Sequence, residues 1–186
     1  MDQDRAKLAE GLRRGDPDVV DALLERYQHR LFRYLLSITG NRAVAEDLFQ
    51  ETWLHVLERG YQFRPQWKFE VWLFSIARHL VIDLSRRKKS SSLDQLMDDD
   101  TGIGFEPAGQ DPTPLEQLMT GELSVRMSSF LDRIPAVYRE VLTLRFHEDL
   151  ALEEMAQLIK VPLSTIKSRL YRGLESLKKQ IEVGNA

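Results

Sequence analysis

DLALEEMAQLIKVPLSTIKSRLYRGLESLKKQI, residues 149–181, reads as two helices joined by a tight turn. Asp149 is the expected N-cap of the first, with Leu152, Met155, Ala156 and Ile159 at helical spacing behind it. Val161-Pro162 ends that helix, because proline disfavours the α conformation in the residue before it. Ser164 is placed to cap the second helix, whose apolar stripe is Ile166, Leu170, Leu174, Leu177 and Ile181. Thr165, Ser168, Arg169, Arg172 and Lys179 project from the opposite side. A short, rigid helix pair of this kind suits a DNA major groove, where Thr, Ser and Arg reach phosphates and base edges. An amphipathic hairpin with a solvated basic face fits the same residues, so on this stretch both readings stand.

The chain has 186 residues, enough for one large or two small domains. Hydrophobic residues make up 42% and charged ones 30%, a mixture able to bury real cores. The absence of cysteine excludes a disulfide framework, a thiolate zinc site and a thiol nucleophile. No run of about 18 apolar residues occurs, and MDQDRAKLAEGLRRGDPD lacks a signal-peptide core. Cytoplasmic location without membrane insertion is the expectation. Net charge is −3, but it is unevenly spread. Residues 1–92 hold 16 Lys and Arg against 13 Asp and Glu, residues 93–118 none against 7, and residues 119–186 hold 10 against 9. Each flank is therefore slightly basic, and local basic faces govern attraction to phosphate because charge is screened within about 10 Å.

Both flanks have helical periodicity and no useful strand alternation. Helices are expected at 2–14, 17–39, 42–59 and 69–89, then at 114–132, 135–146, 149–160 and 164–182. Between them, LDQLMDDDTGIGFEPAGQDPTPLEQL (93–118) has the composition of a linker, with Asp98-Asp99-Asp100, three glycines and three prolines. It is either a solvated tether or an acidic mimic of nucleic acid. The expected fold is all-α: two small helical domains, 1–92 and 119–186, on an acidic flexible linker.

The helix RAVAEDLFQETWLHVLER (42–59) sends Leu48, Phe49, Thr52, Trp53, Val56 and Leu57 toward a core. Asp47, Gln50, Glu51, Leu54 and Glu58 share another face; an apolar residue ringed by carboxylates suits docking onto a basic partner helix. Beyond it, Tyr61, Phe63, Trp67 and Phe69 crowd a loop that also holds Arg64 and Lys68. The following helix turns Leu73, Ile76, Ala77, Leu80 and Leu84 inward, with Ser75, Arg78, His79, Ile82, Arg86 and Lys89 on the other side. Rings that stack bases, interleaved with cations that follow phosphates, are what single-stranded nucleic acid requires. Most of these aromatics belong to a core on the bland reading, Phe69 and Trp72 first among them.

Catalytic constellations are absent from the sequence. His29, His55, His79 and His147 are scattered, and none completes a metal spacing. No phosphate loop, dinucleotide fingerprint or nucleophile elbow occurs. Neither catalytic residue, metal, cofactor nor small-molecule substrate is expected.

Three segments taken together, AEDLFQETWLHVLER, FEVWLFSIARHLVIDLSRRKK and IPAVYREVLTLRFHEDLALEEMAQLIKVPLSTIKSRLYRGLESLKK, strongly resemble the extracytoplasmic-function (ECF, group IV) bacterial sigma factors. The resemblance covers about residues 17–90 and 114–182. It implies a second and a fourth sigma domain that recruit RNA polymerase to promoters of a specialised, stress-type regulon. By resemblance, Asp47, Leu48, Gln50, Glu51 and Leu54 grip the clamp helices of core polymerase, whose flap is a further contact. Phe63, Arg64, Trp67 and Lys68 match the loop that captures a flipped base of the melted minus-10 element; Arg78, His79, Asp83, Arg86 and Arg87 match the helix beside that strand. Ser164, Thr165, Lys167, Ser168, Arg169 and Arg172 match the helix that enters the minus-35 major groove. An anti-sigma factor is a further partner the family implies. The alternative is a one-component helix-turn-helix regulator that binds duplex DNA without polymerase, which leaves the aromatic loop and acidic face without a task. A polymerase-binding scaffold that does not bind DNA leaves Arg169 and Arg172 without one.

Three positions depart from the family pattern. His79 stands where Asn very often follows IAR, which bears on a base contact. Lys160 occupies a turn position where Gly is common, at a cost of about 1 kcal/mol if its φ is positive. Gly173 lies inside the recognition helix and weakens it by a similar amount relative to Ala.

Overall fold

The computed structural model describes residues 2–91, 130–131 and 133–184. Among these residues there are seven helices and no strand: α1 Asp2–Arg14, α2 Pro17–Thr39, α3 Arg42–Arg59, α4 Phe69–Ser91, α5 Ala136–Phe146, α6 Leu152–Ile159 and α7 Leu163–Gly184. The expected linker 93–118 lies outside the described residues, as does nearly all of the helix expected at 114–132.

Local chemistry sets the boundaries of the first unit. Asp16 caps α2, its carboxylate accepting from Asp18 N at 3.1 Å, and Pro17 follows at the first helical position, where its missing N–H costs nothing. Gly40 closes α2 at φ 59°, donating to Leu36 O, and Asn41 then caps α3 through Val44 N. Leu31, Leu35 and Ile38 of α2 meet Ala45 and Val56 of α3 and Leu73, Phe74 and Val81 of α4 in a sealed core. Each such large side chain contributes roughly 1.5–3 kcal/mol on burial. A single 3₁₀ turn, Gly60–Gln62, leads out of α3. A Cβ at Gly60 would stand 2.9 Å from Leu12 O, so only glycine lets α1 lie this close.

In the second unit, Leu144 and Leu150 pack with Met155, Leu158 and Ile159 of α6 and Ile166 of α7. The turn between α6 and α7 is tight, as expected, with Lys160 left-handed at φ 61°. Two caps fall elsewhere than expected. Asp149 is itself left-handed at φ 51°, held where Leu150 N reaches Leu144 O and Arg145 reaches Leu150 O; α6 starts at Leu152. Ala151 precedes it with no side-chain acceptor, and Glu154 reaches back to take the Ala151 N–H at 2.8 Å. Ser164 lies inside the first turn of α7, where Pro162 O accepts the Thr165 and Ile166 N–H groups. Leu57, expected in the core, is 55% exposed.

The two units pack against each other, α2 on α5 and α4 on α6. The seam is polar at its centre. Arg139, 1% exposed, donates to Ser37 O of α2 at 2.7 Å and to Ile134 O at 3.1 Å. Glu140, fully buried, accepts from Tyr34 Oη and from Arg78 Nε, each at 2.9 Å.

Candidate nucleic-acid and partner interfaces

Helix α3 presents the acidic face on its solvent side. Asp47, Gln50, Glu51 and Glu58 are exposed around Leu54, itself 55% exposed. Leu48 belongs to the core instead, at 3% exposure, and supports this face from beneath. With Leu57 also outward, the face is more apolar than the periodicity suggested.

The loop at 63–68 splits between core and surface. Phe63 is 2% exposed, with ring contacts to Phe69 at 5.6 Å and Trp72 at 5.5 Å, so it cannot offer its face to a base. Trp67, 39% exposed, and the exposed Arg64 and Lys68 remain available on the surface. They line a cavity of about 490 Å³ together with Arg5 of α1. The opposite wall is Glu154 and Gln157 of α6, and Glu154 Oε1 lies 2.9 Å from Lys68 Nζ.

Along α4, His79, Asp83, Arg86 and Arg87 are exposed. Arg78, expected among them, is 8% exposed and faces Glu140 of the second unit. Burial, and next the Glu140 carboxylate, push the Tyr34 hydroxyl well above the ordinary tyrosine range, so it remains a donor to that carboxylate. Arg30 similarly meets Glu148 at 2.8 Å. Sequence reasoning missed Glu140, Glu148 and Glu154 as partners of these cations. The one local signal was Glu140 within YREVLTLRF, a carboxylate near the centre of a helix and immediately before the apolar pair Val141-Leu142.

On α7, Ile166 is fully buried while Ser164, Lys167, Ser168 and Arg172 are exposed; Thr165 and Arg169 are half-buried. The expected sides are reproduced only in part: of the inward stripe Ile166 is buried, Leu170, Leu177 and Ile181 are half-buried and Leu174 is 42% exposed, while Arg169, expected outward, has a buried Nη1. Among the described residues no group of three or more His, Asp or Glu could hold a metal ion, and no helix is long and apolar enough to cross a membrane.

Residues 23–91 match the family model of sigma-70 region 2, and residues 124–177 match that of sigma-70 region 4. Over 162 residues the chain is 30% identical to the ECF RNA polymerase sigma factor SigM of Bacillus subtilis, covering 86% of this chain and 93% of SigM. The chain belongs to the ECF RNA polymerase sigma factors. It is also similar to the B. subtilis ECF sigma factor SigW, at 28% identity over 173 residues that span 91% of this chain and 92% of SigW. Its fold is that of the sigma factor RpoE in the complex with the anti-sigma factor NepR from Bartonella quintana, with a TM-score of 0.70 at 23% identity, over 88% of this chain and 96% of that one. In this sigma factor the region 2 match takes in most of α2 and all of α3 and α4, and the region 4 match takes in α5, α6 and most of α7.

Proposed function

We propose that this sigma factor docks on core RNA polymerase through the α3 face of Asp47, Gln50, Glu51 and Leu54. In this reading, Arg64, Trp67 and Lys68 with α4 residues His79, Asp83, Arg86 and Arg87 receive the melted minus-10 strand, and Arg78 joins them once uncovered. Serine, threonine and cation side chains of α7, from Ser164 to Arg172, read the minus-35 groove. The observation that carries the reading is α7 itself: Ser164, Lys167, Ser168 and Arg172 stand exposed while Ile166 is fully buried on the same turns. That geometry lets the helix keep its core contacts while its polar residues contact phosphates and base edges. Extruding a base costs a few kcal/mol, and a surface tryptophan between cations offsets it by stacking and phosphate contact.

The protein then acts by positioning polymerase and DNA, without catalysing a reaction, and works in the cytoplasm. Its domains run from 1 to 92 and from 119 to 186, with 93–118 as the connection. An anti-sigma factor is a further partner, a reading supported by the solved complex of RpoE with NepR. The test is run-off transcription with purified core polymerase on promoter fragments from the host. Discrete transcripts that require the protein, and that Arg169→Ala with Arg172→Ala weakens, are expected. Tight duplex binding by the protein alone, with no transcript, would instead identify a one-component regulator.

A further inference from the structure

The cavity beside Trp67 takes one of its cations from outside both family matches. Arg5 of α1 lines it with Arg64 and Lys68, whereas the region 2 match begins at residue 23. Close packing fixes α1 in this place. Ala9 and Leu12, four and seven residues after Arg5 and on the same side of the helix, are 3% and 4% exposed, and α1 lies against the 3₁₀ turn Gly60–Gln62. A Cβ at Gly11 would stand 2.6 Å from Val19 Cγ2, so glycine also lets the first turn of α2 come close. Where this inward stripe would continue toward the loop, the chain carries a half-buried arginine.

Three cations therefore line one cavity with a single carboxylate, Glu154. That carboxylate is already committed, with Oε1 2.9 Å from Lys68 Nζ and Oε2 accepting the Ala151 N–H at 2.8 Å. Among the described residues neither Arg5 nor Arg64 makes an ion pair or a side-chain hydrogen bond. Like charges gathered in a concave surface without counter-charges focus a positive potential there and favour an anion. Trp67, 39% exposed, adds a ring on which a base stacks, and a ring among cations fits a nucleotide better than a bare anion. We propose that Arg5 is a further strand-binding residue, holding the backbone phosphate next to the base that stacks on Trp67. This inference rests on the reading of the 63–68 loop as part of the minus-10 site. A guanidinium presents two parallel N–H donors to one phosphate, and a helix pinned by packing holds that fork in place at little entropic cost. Because phosphate carries no sequence information, Arg5 adds affinity and register rather than base preference.

The test uses holoenzyme, core polymerase saturated with this protein, and a fork-junction fragment of a promoter it transcribes, with the minus-10 strand unpaired. Arg5→Ala should weaken binding about threefold to tenfold, the loss of one charge-assisted contact near solvent. It should also flatten the dependence of log affinity on log salt by about 0.7, the share of one phosphate on a single strand. Arg5→Lys should restore the slope, and Trp67→Ala should weaken binding without changing it. A scan of neutral methylphosphonate linkages along the unpaired strand locates the contact. One linkage should cost native holoenzyme affinity and cost Arg5→Ala holoenzyme nothing, because the two changes remove the same interaction. Unchanged affinity and slope in Arg5→Ala, or an identical methylphosphonate profile in the two holoenzymes, overturns the proposal. If circular dichroism shows that Arg5→Ala loosens α1, the methylphosphonate scan repeated with Arg5→Gln decides the same question. Loss of binding in Arg64→Ala, Lys68→Ala and Trp67→Ala but not in Arg5→Ala removes only this proposal. Full binding by all four variants removes the assignment of the loop as well.

Discussion

Lys160 Nζ lies 2.9 Å from His79 Nε2, so two of the three positions that depart from the family pattern touch each other across the seam. His79 Nδ1 is 2.6 Å from Ser75 O, one turn back on α4. The carbonyl can only accept, so Nδ1 carries the proton and Nε2 offers its lone pair to the ammonium. Lys160 reaches this place from a left-handed backbone, φ 61°, that closes α6.

That backbone decides what Lys160→Gly does. An L residue in the left-handed region costs about 1–2 kcal/mol, which glycine avoids. The contact with His79 is exposed and contributes little in return. Lys160→Gly should therefore raise the melting temperature by about 2–4 °C, a shift matching about 1 kcal/mol in a chain of this size. Lys160→Met keeps the strained backbone and loses the ammonium, and should give no rise. Thermal melts followed by circular dichroism compare the three; equal stability of the Gly and Met variants would sink the argument.

Acid should loosen the seam through His147. Its Nδ1 lies 3.3 Å from an Arg33 guanidinium that can only donate, so the ring there is neutral. Burial first, then the Arg33 charge, hold its pKa below the ordinary histidine range, with Glu148 pulling weakly the other way. The unfolded chain, titrating at about 6.5, therefore takes up the proton first. Stability from this group is complete above that pH and is lost as pH falls toward the folded value. Urea denaturation from about pH 7.5 down to about pH 5 should show a shallower decline for His147→Gln than for the native chain. Parallel curves would show that His147 does not carry the dependence.

Helix boundaries were legible in the sequence because they are written locally: Asp16-Pro17, Gly40-Asn41 and Val161-Pro162 each stop or start a helix within a few residues. The two caps misread were local signals overruled. Asp149 is drawn into a left-handed turn by bonds from α5, and the Pro162 carbonyl serves the N–H groups that Ser164 was expected to cap. Site assignments failed where burial is set at long range. The alternation of rings and cations at 61–68 does not say that Phe63, rather than Trp67, turns inward. Nothing within α4 shows that Arg78 meets a carboxylate 62 residues later.

Gly173 is legible only with the structure in hand. Inside an exposed helix, Gly→Ala ordinarily adds about 1 kcal/mol of stability. Here α5 lies so close that a Cβ would stand 3.2 Å from Leu142 Cγ, 3.3 Å from its Cδ1 and 3.4 Å from Tyr138 Cβ. Leu142 is 3% exposed and has little room to retreat. The gain and the crowding should nearly cancel, so Gly173→Ala is expected to change stability by less than about 0.5 kcal/mol. Gly173→Val adds two methyl groups to the same gap and should cost about 1–3 kcal/mol. A denaturant series on the two variants tests this; a clear stabilisation by Ala would show that α7 shifts to make room.

Leu48 and Leu54 separate folding from function on one helix. They lie six residues apart on α3, the first 3% and the second 55% exposed. Leu48→Ala empties a packed site and should cost about 2–5 kcal/mol, whether or not the residue ever meets polymerase. Leu54→Ala removes no core contact, and stability should change by less than about 0.5 kcal/mol. If the acidic face around Leu54 docks on core polymerase, truncating its central apolar residue should still weaken capture by roughly tenfold, as expected for a buried interface anchor worth more than about 1 kcal/mol. Core polymerase pulled down by the tagged protein, measured beside urea denaturation of each variant, reads both effects. Loss of capture by Leu54→Ala at native stability supports the face. Unimpaired capture by Leu54→Ala would move the docking site off α3.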